Sequence, residues 1–149
     1  SLAVLGKPKQ MDAVDLSEKA LIQAGKNAKR LGADVSFYRS DMLDKINGRY
    51  DVIVSNPPYI ENAVIETLQT EVKDYEPRIA LDGGEDGLVF YRRITETAHN
   101  FLKKGGLLAF EIGYNQGESV RGLMQNDFYD TEVIKDLNDN DRVVIGKLK

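Results

Sequence analysis

Strand-like and helix-like patterns alternate along this chain, and that alternation limits the available folds more than any other feature. Met11–Leu16 (MDAVDL) is a short apolar run containing a terminal acid, and Ser17 behind it has the side chain of a helix N-cap. Ala20, Leu21, Ala24, Ala28 and Leu31 then recur at helical spacing, with Gly32 where a helix stops. Val35–Asp41 (VSFYRSD) and Tyr50–Asn56 (YDVIVSN) are two further strands, joined through Asn47 and Gly48. Glu61 to Glu85 reads as a long loop with one helical turn or short helix, and long loops in compact domains often carry function. Leu88, Tyr91, Ile94, Ala98, Phe101 and Leu102 share one face of a helix that Asp86 caps and Lys103–Gly106 ends. Leu107–Gly113 (LLAFEIG) is a buried strand, a helix runs from about Gln116 to Asn126, and TEVIKDL and RVVIGKL form a hairpin through the turn NDND. The sum is an α/β fold: a mostly parallel sheet with helices on both faces and an antiparallel C-terminal hairpin at one edge.

In such sheets ligands bind outside the carboxyl ends of the strands. The informative residues are therefore those that end strands: Asp15, Asp41, Asn56 and Glu111. An acid at the position of Asp15 can accept from both hydroxyls of a nucleoside ribose, although a helix-capping or solvent-facing acid is the better account of a lone Asp there. Asp41 can accept from an adenine amino group while Met42 packs on the ring; as a pair of residues this is unremarkable.

Asn56 stands apart because two prolines and a tyrosine come directly after it. In VSNPPYI the residue before a proline is held extended and two prolines fix φ twice, so Asn56-Pro57-Pro58 is a stiff corner. The Asn56 carboxamide oxygen and the Pro57 carbonyl can both accept from one planar NH2 group, with the flat face of Tyr59 beside it. An amide or aryl amine is a poor nucleophile because its lone pair is delocalised. Two fixed acceptors favour the pyramidal nitrogen, a stabilisation felt in the transition state. The other readings are a Pro-Pro loop with a buried tyrosine and a polyproline ligand, the latter disfavoured by the strand directly before it.

Composition narrows the classes. At 149 residues the chain has the length of one domain, and a net charge of -4 with a pI near 5.1 gives no general attraction to phosphate backbones. The absence of cysteine removes disulfides, thiolate metal sites and thiol nucleophiles together. No apolar run approaches the ~20 residues of a membrane helix and the N-terminus has no signal-peptide pattern, so the expectation is a soluble cytoplasmic protein.

NPPY after a strand resembles the motif of class I S-adenosylmethionine-dependent methyltransferases that modify planar nitrogens. DVIVSNPPYI, YEPRIALDGGEDGLVFYRRI, GGLLAFEIGYNQ and DLNDNDRVVIG, in that order, resemble more closely the HemK/PrmC family, from Met11 to Lys149. That family methylates the side-chain amide of the GGQ glutamine in peptide-chain release factors. The resemblance implies a Rossmann-like sheet, S-adenosylmethionine as cofactor, release factors as partners, and neither a metal nor direct nucleic-acid binding. It makes Asn56, Pro57, Pro58 and Tyr59 catalytic, Asp15 the ribose ligand, and Asp41, Met42 and Asn56 cofactor-binding. Glu76, Pro77 and the GGEDG loop become part of the substrate wall, Glu111 is structural or faces the pocket, and His99 is a surface residue.

The family pattern also has a D-x-G-x-G-x-G loop after its first strand, which the chain does not contain; SLAVLGK resembles the helix that comes after that loop. The expectation is a catalytic domain, residues 1–149, truncated at its N-terminus, lacking the first strand and an N-terminal helical domain, and inactive or nearly so alone. The alternatives are an adenine-N6 methyltransferase on DNA or RNA, which needs a basic groove and a flipped base, and a binding module that has lost its cofactor. NDND at Asn138–Asp141 lacks the later glutamate of a calcium loop and reads as a turn.

Overall fold

The computed structural model describes residues 1–67 and 77–149, which form two compact units, Ser1–Gly48 and Arg49–Lys149. In the first unit the order is α1 (Leu2–Gly6), β1 (Asp12–Asp15), α2 (Glu18–Leu31) and β2 (Ser36–Arg39). The two strands pair in parallel, with Asp12 opposite Ser36 and Asp15 opposite Arg39. Ser17 caps α2 as its sequence predicts, its Oγ accepting from the Ala20 amide at 3.3 Å, and Gly32 ends it at φ 63°, a conformation glycine adopts without a Cβ penalty. β2 is shorter than the predicted Val35–Asp41 because the chain leaves the ladder at Ser40.

The second unit runs β3 (Tyr50–Ser55), α3 (Asn62–Ile65), α4 (Arg78–Leu81), α5 (Val89–Ala98), β4 (Leu102–Glu111), α6 (Gly117–Met124), β5 (Phe128–Lys135) and β6 (Asp141–Leu148). Its sheet has the order β3-β4-β6-β5, with β3 and β4 parallel and β6 antiparallel to both its neighbours. Leu108 and Phe110 alternate inward along β4 and pack with Tyr91, Ile94 and Ala98 of α5 and Val120 and Met124 of α6, all fully or nearly fully buried. Tyr91 meets Phe110 edge-to-face at 5.2 Å. Each large apolar side chain so buried contributes about 1.5–3 kcal/mol, and this core fixes the C-terminal ends of β3 and β4 beside the start of α5. Within the sheet β3 is an edge strand, and Val52 and Val54 stay 50 and 55 % exposed.

Two sequence expectations are corrected here. Phe101 and Leu102 do not continue α5: the helix stops at Ala98, and β4 begins at Leu102. Tyr50 pairs with Leu102, but Val52 pairs with Leu107, so Lys103–Gly106 bulge out of the strand instead of ending a helix, with Gly105 at φ 74° making the bend. The Arg49 guanidinium donates to the carbonyls of His99 and Leu102 across this junction, and His99 is exposed, at the end of α5. Asp86 lies ahead of the cap position rather than on it. Its carboxylate accepts from the Leu88 amide and pairs with Arg92, which holds it below the ordinary aspartate range. Among the described residues, the loop after Tyr59 carries the short helices α3 and α4.

The hairpin turn is organised by Asp136, whose Oδ1 accepts from the Asn138 and Asn140 amides at 2.8 and 3.1 Å while Oδ2 pairs with Arg142 at 3.1 Å. The bonds from Asn140 and Asn138, then Arg142, lower the Asp136 pKa. A carboxylate with a lowered folded pKa stabilises above its ordinary value and loses that stabilisation as pH falls through the lowered one. The melting-temperature gap between the wild type and Asp136→Ala is therefore expected to be largest at neutral pH and to shrink on acidification below the ordinary aspartate range. A gap that does not change with pH would refute the assignment. Among the described residues no helix is long and apolar enough to cross a membrane.

Candidate active site

The strand ends gather two groups of residues, one in each unit. In the first unit Ser40 is the organising residue, buried to 4 % exposure. Its amide donates to the Asp15 carbonyl at 3.1 Å and its Oγ accepts from the Lys45 amide at 3.0 Å, so the turn after β2 is tied to the end of β1. Asp15 and the Asp41-Met42 pair are thereby brought side by side at the carboxyl edge of the two-stranded sheet. Asp15 braces the helix that follows it. Oδ1 accepts from the Ser17 amide at 2.7 Å, bracing the start of α2, while the exposed carboxylate keeps Oδ2 free of hydrogen bonds among the described residues. Met42, half-buried, sits at φ 47°, which costs a residue with a Cβ about 1–2 kcal/mol.

A carboxylate oxygen open at a strand end, next to a second acid and a thioether, fits the hydroxyls and base of a nucleoside. For S-adenosylmethionine these are the ribose and adenine parts. The fit rests on the chemistry of this donor set and on the Ser40 tie that assembles it.

In the second unit, at the corner after β3, Asn56 is exposed, Pro57 buried, and Pro58 and Tyr59 half-buried. Neither the Asn56 carboxamide nor the Pro57 carbonyl accepts a hydrogen bond from any described residue, so both acceptors are open. The corner is anchored at both ends. Ser55 is in register with Phe110, and beyond Tyr59 the chain laces to the loop after α4. Ile60 donates to the Leu81 carbonyl, Gly83 to the Ile60 carbonyl and Asn62 to the Gly84 carbonyl, each at 2.9 Å. This approach is so close that a Cβ on Gly83 would lie 2.7 Å from the Tyr59 Cα, and one on Gly87 would lie 2.7 Å from the Gln116 Nε2.

The residue that completes the arrangement is Gln116, 7 % exposed at the start of α6. Its Nε2 donates to the Tyr59 carbonyl at 3.0 Å and the Gly87 carbonyl at 3.3 Å, and its Oε1 accepts from the Gly113 amide at 3.0 Å. Sequence reasoning places Gln116 only as a helix start. The signal that points to the close approach is the glycine density of DGGEDG, since glycine in a fixed loop often marks backbone meeting backbone. Tyr91 supports the site from below: its hydroxyl donates to the Glu111 carbonyl at 2.9 Å, and burial, with lesser effects of Tyr59 and Glu111, pushes its phenol well above the ordinary tyrosine value, so it stays protonated. Glu111 is in register with Val143 of β6 and uses its backbone structurally. Of the expected wall, Pro77 stands directly before α4 and the glycines back Tyr59, while Glu76 lies outside the described residues.

The fold these sites occupy is that of the class I methyltransferases. A methyltransferase from Pyrococcus furiosus superposes on 93 % of the chain, and 62 % of that protein, with a TM-score of 0.67 at 18 % identity. A family profile described as Methyltransferase small domain matches residues 1–74. Within that class the chain is similar to release factor glutamine methyltransferases. It is 44 % identical, across its whole length, to the release factor glutamine methyltransferase of Bacillus anthracis, and 45 % identical, over 93 % of its length, to that of Geobacter sulfurreducens. The chain spans about half the length of these relatives, 54 and 50 %.

Proposed function

We propose that the protein transfers a methyl group from S-adenosylmethionine to the side-chain amide nitrogen of the glutamine in the GGQ motif of peptide-chain release factors, acting in the cytoplasm. The observation that carries this reading is the open acceptor pair of Asn56 and Pro57 on a corner fixed at both ends. A primary amide has two N–H groups on one planar nitrogen, and two acceptors held by a strand end and a double proline suit it.

Asp15 takes the ribose hydroxyls, and Asp41 with Met42 takes the adenine. When bound, the cofactor supplies a methyl group on a sulfonium, an electrophile whose leaving group is a neutral thioether. Asn56 Oδ1 and the Pro57 carbonyl accept from the two amide N–H groups and hold the nitrogen at a fixed orientation. Their dipoles strengthen their grip as that nitrogen becomes pyramidal and gains positive charge, which is where preorganised acceptors lower a barrier. Asn56 and Pro57 would hold that nitrogen to accept the methyl group the bound cofactor would supply, and the nitrogen would then give up one proton to solvent. No strongly basic side chain is needed, because the methylated nitrogen is acidic at that stage. Tyr59 offers its ring as a wall against the amide plane, and the Gln116 and glycine contacts behind it keep that wall in place.

The test is methyl transfer from radiolabelled S-adenosylmethionine by the full-length protein, offered a release factor, its GGQ→GGA variant and duplex DNA. Label is expected on the release factor and not on the GGA variant. Label on DNA alone would move the assignment to adenine-N6 chemistry at the same acceptor pair.

A further inference from the structure

We infer that Gln116 is a positioning residue for the acceptor pair: its two N–H groups clamp the carbonyls of Tyr59 and Gly87, and so hold the Asn56–Tyr59 corner in its working shape. Its effect on turnover rests on the amide-pocket reading of that corner; the clamp itself does not.

The geometry leaves little else for this side chain to do. A buried carboxamide is poorly suited to a core position unless its polar atoms are paired. Here three bonds are made to three separate backbone segments: Tyr59, Gly87 and Gly113. Two of these residues, Gly87 and Gly113, are glycines at which a Cβ would strike Gln116 at 2.7 and 3.0 Å, so the space around the amide is shaped to its outline. The Tyr59 carbonyl is the decisive contact. Pro57 and Pro58 have fixed φ and no N–H, so the corner cannot secure itself with amide donors. The first donor beyond the prolines that is seen to bond is the Ile60 amide, to Leu81. Holding the Tyr59 carbonyl therefore sets the last freedom of a three-residue bridge whose first end is already fixed by the Ser55–Phe110 pairing. The clamp also explains why the bond comes from a side chain. Tyr59 and Gln116 are 57 residues apart, on the two sides of the corner, and only a long flat amide reaches both Tyr59 and Gly87 while accepting from Gly113.

The experiment compares wild type, Gln116→Glu and Gln116→Met in the full-length protein by backbone hydrogen exchange and by steady-state methyl transfer to a release factor. Glu keeps the shape and the acceptor for Gly113 but removes both donors; Met fills the volume with no polar atom. Exchange at the Ile60 and Asn62 amides is expected to speed up about tenfold or more in both variants, with β4 amides at Leu107–Phe110 unchanged. With that change, kcat is expected to fall about tenfold or more while KM for the release factor and the cofactor Kd stay within about threefold. Unaltered exchange at Ile60 and Asn62 would overturn the clamp. So would equal acceleration across β4 or loss of folding in both variants, since Gln116 would then be a general core residue. Faster exchange with undiminished turnover would support the clamp and count against the amide-pocket reading instead.

Discussion

Replacing Asn56 with alanine is expected to lower kcat for methyl transfer by about 10²–10³-fold, the loss typical of removing one preorganised group that stabilises charge in a transition state. The cofactor Kd is expected to stay within a few-fold of the wild type. This separation comes from where the residues sit. The proposed nucleoside ligands Asp15, Asp41 and Met42 belong to the segment tied by Ser40 in the first unit, whereas Asn56 directly follows β3 in the second and its exposed amide supports no hydrogen bond among the described residues. Truncating it therefore removes an acceptor without leaving a buried group unpaired, and stability is expected to change by less than about 0.5 kcal/mol. Calorimetric titration of S-adenosylmethionine, melting temperature and single-turnover methyl transfer measured together test the assignment. Asp15→Ala is the mirror experiment, weakening cofactor binding about 10- to 100-fold through loss of a charge-assisted acceptor. Equal loss of binding and turnover in Asn56→Ala would remove it from the reacting centre.

The second large effect is expected at Gly83. A methyl group there would lie 2.7 and 2.8 Å from the Cα and C of Tyr59 and 2.9 Å from the Cα of Gly87. All three are backbone atoms, so no side-chain rotation relieves the clash. The two laced segments must part, straining the bonds from Ile60 to Leu81 and from Gly83 to Ile60. Overpacking of this kind costs about 1–3 kcal/mol, equivalent to roughly 4–8 °C in melting temperature per kcal/mol for a unit of this size. Turnover is expected to fall further than stability predicts, because the atoms displaced belong to Tyr59. Gly25→Ala is the control: it lies in α2 with nothing within 4 Å of an added Cβ, and alanine there is expected to be neutral or to stabilise by up to about 1 kcal/mol. If Gly83→Ala melted and turned over like Gly25→Ala, the close packing behind Tyr59 would have no mechanical role.

Local chemistry makes much of this legible without any coordinates. Ser17 and Gly32 bracket α2 because a hydroxyl cap and a left-handed glycine act on their own neighbours. The stiffness of Asn56-Pro57-Pro58 is likewise a property of three adjacent residues. Lys103–Gly106 mislead for the opposite reason. Two lysines and two glycines after an apolar face look like a helix stop, but pairing of Leu102 with Tyr50 and of Leu107 with Val52 draws the segment into β4 as a bulge, and that pairing joins residues far apart in the chain.

The sequence by itself determined the order of elements, the acids and the asparagine that end strands, and a corner too rigid to bend, since periodicity, capping and proline geometry operate within a few residues. Only the tertiary structure decided that Ser40 would join Asp15 to Asp41 and Met42, that Gly83 and Gly87 would be the surfaces against which Tyr59 rests, and that Gln116 would close over its carbonyl. Those are contacts between distant segments, and they exist because a buried polar group must find its partner wherever the packed core brings one within reach.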